Sequence, residues 1–82
     1  MYTLVYYYKE TTGSKVIERE YQSNEFRLRR NALHYLLEIV QSEYREDGYG
    51  TEQIVGGINC YKSEKTESGR KIIEVKIKVE KV

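Results

Sequence analysis

The chain has 82 residues, a third of them charged, and its 14 Lys and Arg nearly cancel its 13 Asp and Glu. That length supports one domain spanning residues 1–82, and the balanced charge leaves no global field to draw it to nucleic acid or to an anionic membrane. So short a chain buries only about 60% of its unfolded surface, which makes it marginal alone and favours association.

Cys60 has no second cysteine to pair with, and no basic and apolar leader opens the sequence. The apolar runs are a few residues long against the roughly 20 that a membrane span takes. A soluble protein of the reducing cytoplasm is therefore expected. Nine tyrosines, with no tryptophan and no proline, suit half-exposed sheets and interfaces.

The β-branched and aromatic stretches Tyr2 to Lys9 and Lys15 to Gln22 flank the turn residues Thr11-Thr12-Gly13-Ser14, which reads as a hairpin. A two-residue turn places Leu4, Tyr6, Tyr8, Ile17 and Tyr21 on its core face, with Arg19 snorkelling beside them. Ser23 or Asn24 then serves as an N-cap for one long helix running from Asn24 to Glu46, which Asp47-Gly48 ends.

Residues 47 to 53 read as a loop, Ile54 to Glu64 as a third strand, and Arg70 to Val82 as a fourth, with a turn near Thr66-Glu67-Ser68-Gly69. The fourth is the clearest: Ile73, Val75, Ile77 and Val79 alternate with Glu74, Lys76, Lys78 and Glu80. Setting Cys60 near Val75 and Ile58 near Ile77 keeps apolar residues together. The expected fold is α+β with ββαββ order, one four-stranded antiparallel sheet with one long helix packed across one face.

Chemistry of known type is poorly represented. The chain has no phosphate-cradling glycine loop, no His-Glu-x-x-His, no nucleophile elbow and no Cys-x-x-Cys. One His and one Cys fall short of a zinc site, so no metal and no cofactor is expected. His34 lies on the polar arc of the helix while Cys60 turns to the apolar face of its strand, which separates them as a catalytic pair. Glu43, Glu46, Asp47 and Glu52 match no calcium loop and read as solvated, and Gly56-Gly57 reads as a bulge or a close backbone approach.

The helix is the strongest functional clue, because its apolar residues cover about 200° of its circumference. One stripe is Phe26, Leu33, Leu36, Leu37, Val40 and Tyr44; a second is Leu28, Ala32, Tyr35 and Ile39. Arginines gather at the start of the helix and Glu43, Glu46 and Asp47 at its end, opposite to the preference of the helix dipole. An antiparallel homodimer through Leu28, Ala32, Tyr35 and Ile39 accounts for both features. The competing arrangement is a sheet that curls round the helix and buries both stripes in one chain.

The reading that follows is a small, non-enzymatic interaction protein that binds another macromolecule, a protein in the first place. Exposed Tyr7 and Tyr61 on the open sheet and Tyr49 between two glycines are the candidate contacts. The alternative is nucleic-acid binding by Arg27, Arg29 and Arg30 with the sheet tyrosines, set against a sheet face whose acids outnumber its bases. In size and lack of motifs the chain resembles accessory proteins of phages and mobile elements, some of which inhibit host machinery; no particular residues carry that likeness.

Overall fold

The computed structural model describes residues 1–82. The tyrosine-rich and β-branched segments at the N-terminus form β1 (Tyr2–Thr12) and β2 (Lys15–Phe26), joined by a two-residue turn at Gly13-Ser14 in which Gly13 takes a φ of 59°. Tyr6 stands opposite Tyr21 and Tyr8 opposite Arg19, which keeps the shared face expected from the alternation and fixes the register at the Gly13-Ser14 turn instead of Thr12-Gly13. Tyr6 and Tyr21 stack at 4.8 Å between centroids.

Three more strands follow the helix: β3 (Gly50–Ile54), β4 (Gly57–Thr66) and β5 (Gly69–Lys81). All five pair antiparallel in the order β2-β1-β5-β4-β3. This corrects the expected four-stranded ββαββ sheet. The segment read as one strand from Ile54 is two strands divided at Val55-Gly56, where Gly56 at φ 80° reverses the chain. The segment read as a loop supplies most of β3, which lacks period-two patterning but gains a full ladder against β4, from Gly50 opposite Tyr61 to Ile54 opposite Gly57. Within β4 and β5 the expected pairs hold, Cys60 opposite Val75 and Ile58 opposite Ile77.

The helix is shorter than its apolar pattern. β2 runs on to Phe26, α1 spans Arg29–Ile39, and a π-helical turn covers Val40–Arg45. Ser23 and Asn24 do not cap the helix. They stand together opposite Leu4 of β1 as a bulge, and the Thr3 hydroxyl shares its one proton between their carbonyls, at 3.0 and 3.1 Å. The N-cap is Leu28, which offers no side-chain acceptor. Near the other end the Ser42 hydroxyl donates to the Glu38 carbonyl at 2.8 Å, a back-bond that competes with the regular helical ladder.

The inner face of the helical segment is Ala32, Leu36, Ile39 and Val40. It packs on Leu4, Tyr6, Cys60 and the odd residues Ile73 to Val79 of β5. Phe26, expected on the helix, meets Tyr35 from the end of β2, with ring centroids 5.3 Å apart. Only 14 of the 82 residues are buried, so the core is small even for this length.

Gly57 is where the sheet tolerates no side chain, because a Cβ there would overlap the Ile77 carbonyl and lie 2.8 Å from the Lys78 Cα. At Gly50 the obstacle is the movable Tyr61 ring, 2.6 Å from an added Cβ. Gly57→Ala should therefore cost about 3 kcal/mol in denaturant unfolding, and Gly50→Ala within about 1 kcal/mol. Equal losses at the two positions would contradict this packing.

Candidate functional site

The flank of α1 that turns toward β3 is incompletely covered. Leu33 and Leu37, one helical turn apart, form with Leu36, Ile54 and Ile58 the apolar lining of a groove of about 540 Å³, with Arg29 and Glu52 among its polar walls. The groove exists because β3 is only five residues long and because Gly56 and Gly57 place no side chains at its floor. Leu37 is 59% exposed, and Val55 at the tip of the β3–β4 turn is 94% exposed. β3 pairs with β4 alone, so its outer edge leaves backbone donors and acceptors free.

The four residues expected at a dimer seam do not share a surface. Ala32 and Ile39 lie in the core of this chain, Tyr35 is half-buried against Phe26, and Leu28 is 47% exposed. The physical reason is the phase of α1, which aims Ala32 and Ile39 at β1 and β5 together with Leu36. The acidic end of the helix is also engaged within the chain. Lys62 reaches the Asp47 carboxylate at 3.6 Å and donates to its carbonyl at 3.0 Å, and the Glu43 charge helps raise the pKa of the Tyr6 phenol, chiefly raised by burial.

The candidate tyrosines are divided between the two faces of the sheet. Tyr7 and Tyr61 lie on the face away from the helix. Tyr7 donates to the Glu80 carboxylate, and Lys78 sits 5.8 Å from its ring. That hydrogen bond is the main cause of a phenol pKa pushed up to about 12. Tyr61 is well exposed and lies across Gly50. Tyr49 is on the helix side and is no free loop residue: it is half-buried edge-on to Tyr44 at 5.2 Å, with Lys62 5.2 Å from its ring. Its N–H donates to the Tyr44 carbonyl at 3.0 Å.

The open face carries a shallow depression of about 520 Å³ lined by Tyr7, Lys9, Glu18, Glu20, Glu74 and Lys76, among others. Its charges alternate across the strands, Lys9 standing between Glu18 and Glu74, so they compensate one another and create no phosphate-attracting surface. Arg27, Arg29 and Arg30 are exposed on the opposite side and take part in no ion pair. Glu25, four residues before Arg29, belongs to β2 and so forms no helical pair with it.

His34 is exposed while Cys60 is wholly buried beneath the helix. Burial alone pushes the Cys60 thiol up to about 11, away from nucleophilic use. No three His, Cys, Asp or Glu side chains gather in a metal-binding group. No helix is long and apolar enough to cross a membrane.

In the sequence, Leu33 and Leu37 belong to the first apolar stripe of the helix and Val55 falls within the strand expected from Ile54 to Glu64. The legible signal was Val55-Gly56-Gly57 itself, an apolar residue followed by turn chemistry. No family model, curated protein or solved structure matches the chain.

Two outcomes follow from this geometry. Cys60 should react with a thiol reagent at pH 8 only as fast as the protein opens, and prompt labelling of folded protein would contradict its burial. The Tyr8 hydroxyl donates to Glu10 at 2.7 Å, which holds that phenol at about 12, above its ordinary 10.0. A raised folded-state pKa gives stability that is complete below pH 10 and is lost as pH rises toward 12. Tyr8→Phe should flatten the fall in melting temperature across that window; an unchanged slope would refute the assignment.

Proposed function

We propose that the chain is a non-enzymatic protein-binding module of the reducing cytoplasm, which docks a protein in the groove between α1 and β3. The observation that carries this reading is that Leu37 and Val55, the two most exposed of the large apolar side chains, stand together beside that groove. Apolar surface flanked by polar walls and by an unpaired strand edge is what a protein partner covers; a small polar ligand would gain little there. The buried, unpaired Cys60 fits a reducing compartment.

Nucleic-acid binding draws support from the three unpaired arginines. It loses its aromatic component, because Tyr7 and Tyr61 lie on the face of the sheet away from Arg27, Arg29 and Arg30 and one strand cannot use both sets together. Binding of labelled oligonucleotides at low salt that vanishes in Arg29→Ala/Arg30→Ala would restore that reading.

The protein-binding proposal is tested with a photo-crosslinking residue at position 37, in purified protein and in host extract. A discrete adduct to a protein, this chain included, is expected there and not from position 72 on the far face. Val55→Glu should reduce the adduct about tenfold, equivalent to about 1.4 kcal/mol of binding. The same change should move stability by no more than about 0.5 kcal/mol, since the side chain is almost fully exposed. Equal adducts from positions 37 and 72 would refute the proposal.

A further inference from the structure

We infer that α1 is a two-position switch: it rotates by one residue, drawing on slack held in the π-helical turn Val40–Arg45, and the rotation takes the leucines out of the α1–β3 groove. This rests on the reading of the groove as a protein-docking site. A π-helical turn closes its hydrogen bonds over five residues where an α-helix closes them over four, so it holds one residue more than the helix needs. Return of that residue to the α-helical ladder steps every residue before it back by one place, about 100° round the axis and about 1.5 Å along it.

The slack is released toward α1 because the far side of the turn is anchored. There the Tyr44 carbonyl accepts from the Asp47 and Tyr49 N–H groups, the Tyr44 and Tyr49 rings meet edge-on, and Lys62 holds Asp47. The start of α1 has no such anchor: the N-cap Leu28 offers no side-chain acceptor, and Arg27, Arg29 and Arg30 make no ion pair.

The sequence of α1 supplies a second apolar face, one residue out of phase with the first. Ala32, Leu36 and Ile39 face the sheet. One step back sets Leu33, Leu37 and Val40 in their places, three apolar residues at the same spacing. The same step replaces Arg29, Leu33 and Leu37 on the groove wall by Arg30, His34 and Glu38, which turns that wall polar. Ala32, Leu36 and Ile39 move to the opposite flank, beside Phe26 of β2. The wide apolar arc of the helix is thus two faces, one for each position.

Leu33 is larger than the fully buried Ala32 whose place it takes, so crowding keeps the rotated position the minor one, on the order of 1% of molecules. Ser42 favours the observed position, since its hydroxyl occupies the Glu38 carbonyl that the Ser42 N–H takes in an α-helix. A protein seated in the groove holds α1 as observed, and rotation closes the site.

Thiol labelling of the folded chain at pH 8, with one cysteine at a time in a Cys60→Ala background, tells rotation from fraying. Rotation exposes positions 36 and 39 and keeps position 40 buried, whereas local unfolding opens 39 and 40 together. Leu36→Cys and Ile39→Cys should therefore label within about threefold of each other and at least about tenfold faster than Val40→Cys. Deletion of Ser42 removes the spare residue with Leu36 and Ile39 still inward, and should slow labelling at position 39 about tenfold; Ser42→Ala should speed it about threefold. Should a cysteine variant fail to fold, relaxation dispersion of the wild-type methyl signals reads the same event, with Leu33, Leu36, Leu37 and Ile39 exchanging as one process. Equal rates at 39 and 40, a rate at 39 unchanged by the deletion, or methyl signals without common exchange overturn the inference, and the docking groove then rests on its own crosslinking test. Asymmetric labelling in a protein that gives no adduct from position 37 leaves no site to gate, and the switch falls with the groove.

Discussion

One short helix has to cover a sheet much longer than itself. The seventeen residues of α1 and its π-helical continuation span about 25 Å, whereas a strand of thirteen residues such as β5 spans about 43 Å. The molecule is accordingly 45 Å long and only 23 and 19 Å across. The apolar core lies where the helix lies, over Leu4, Tyr6, Cys60 and Ile73 to Val79. Beyond it the strands continue toward the Gly13-Ser14 and Glu67-Ser68 turns as an arm with no second layer.

That constraint explains the tyrosines. A sheet whose outer face is largely wet, apart from the buried Thr3, Val5 and Asn59, and which is uncovered on both faces at one end needs side chains that hold strand geometry, cover apolar surface and keep a polar tip in water. Tyr7 and Tyr8 fill the role with paired hydroxyls: Tyr7 donates to Glu80 across the sheet, and Tyr8 to Glu10, whose carboxylate also receives Lys71 at 3.2 Å. These two donors, Tyr8 first, hold the Glu10 carboxyl below the usual carboxylate range. On the helix side, Tyr44 and Tyr49 close the end of the core around Cys60, and burial raises both phenols. Tyrosine does the work of a missing second layer.

Strands whose partners share their period were legible in the sequence. β5 announced itself by alternation, and the pleat told which residues of the hairpin share a face, while the choice between a Thr12-Gly13 and a Gly13-Ser14 turn, and with it the register, came from the structure. What the sequence hid were features decided by contacts across the fold. Ser23 and Asn24 have cap chemistry, but the Thr3 hydroxyl, twenty residues earlier in the chain, claims their carbonyls and keeps that stretch in the sheet. Phe26 falls in phase with the helix by coincidence. β3 has no pattern of its own and exists because β4 offers it a ladder. The surplus of apolar surface on the helix was real, but its location depended on the phase of α1, which only the packed structure sets. Ala32 and Ile39 went inward, and Leu33 and Leu37 were left at the edge.

The same short coverage makes the β3–β4 hairpin more than a connection. A longer β3 with a bulkier turn could have closed over Leu33 and Leu37 and completed the core within one chain. Instead Gly57 lies so close to the Ile77 carbonyl that no side chain can grow there, and Gly56 is committed to a positive φ by the turn. Neither position can supply the missing apolar cover. The only large apolar side chain in the turn, Val55, lies outside the lining of the groove it borders and is left almost wholly in water. A fold that withholds cover at two glycines and exposes it at the residue before them has an apolar deficit and an apolar excess side by side.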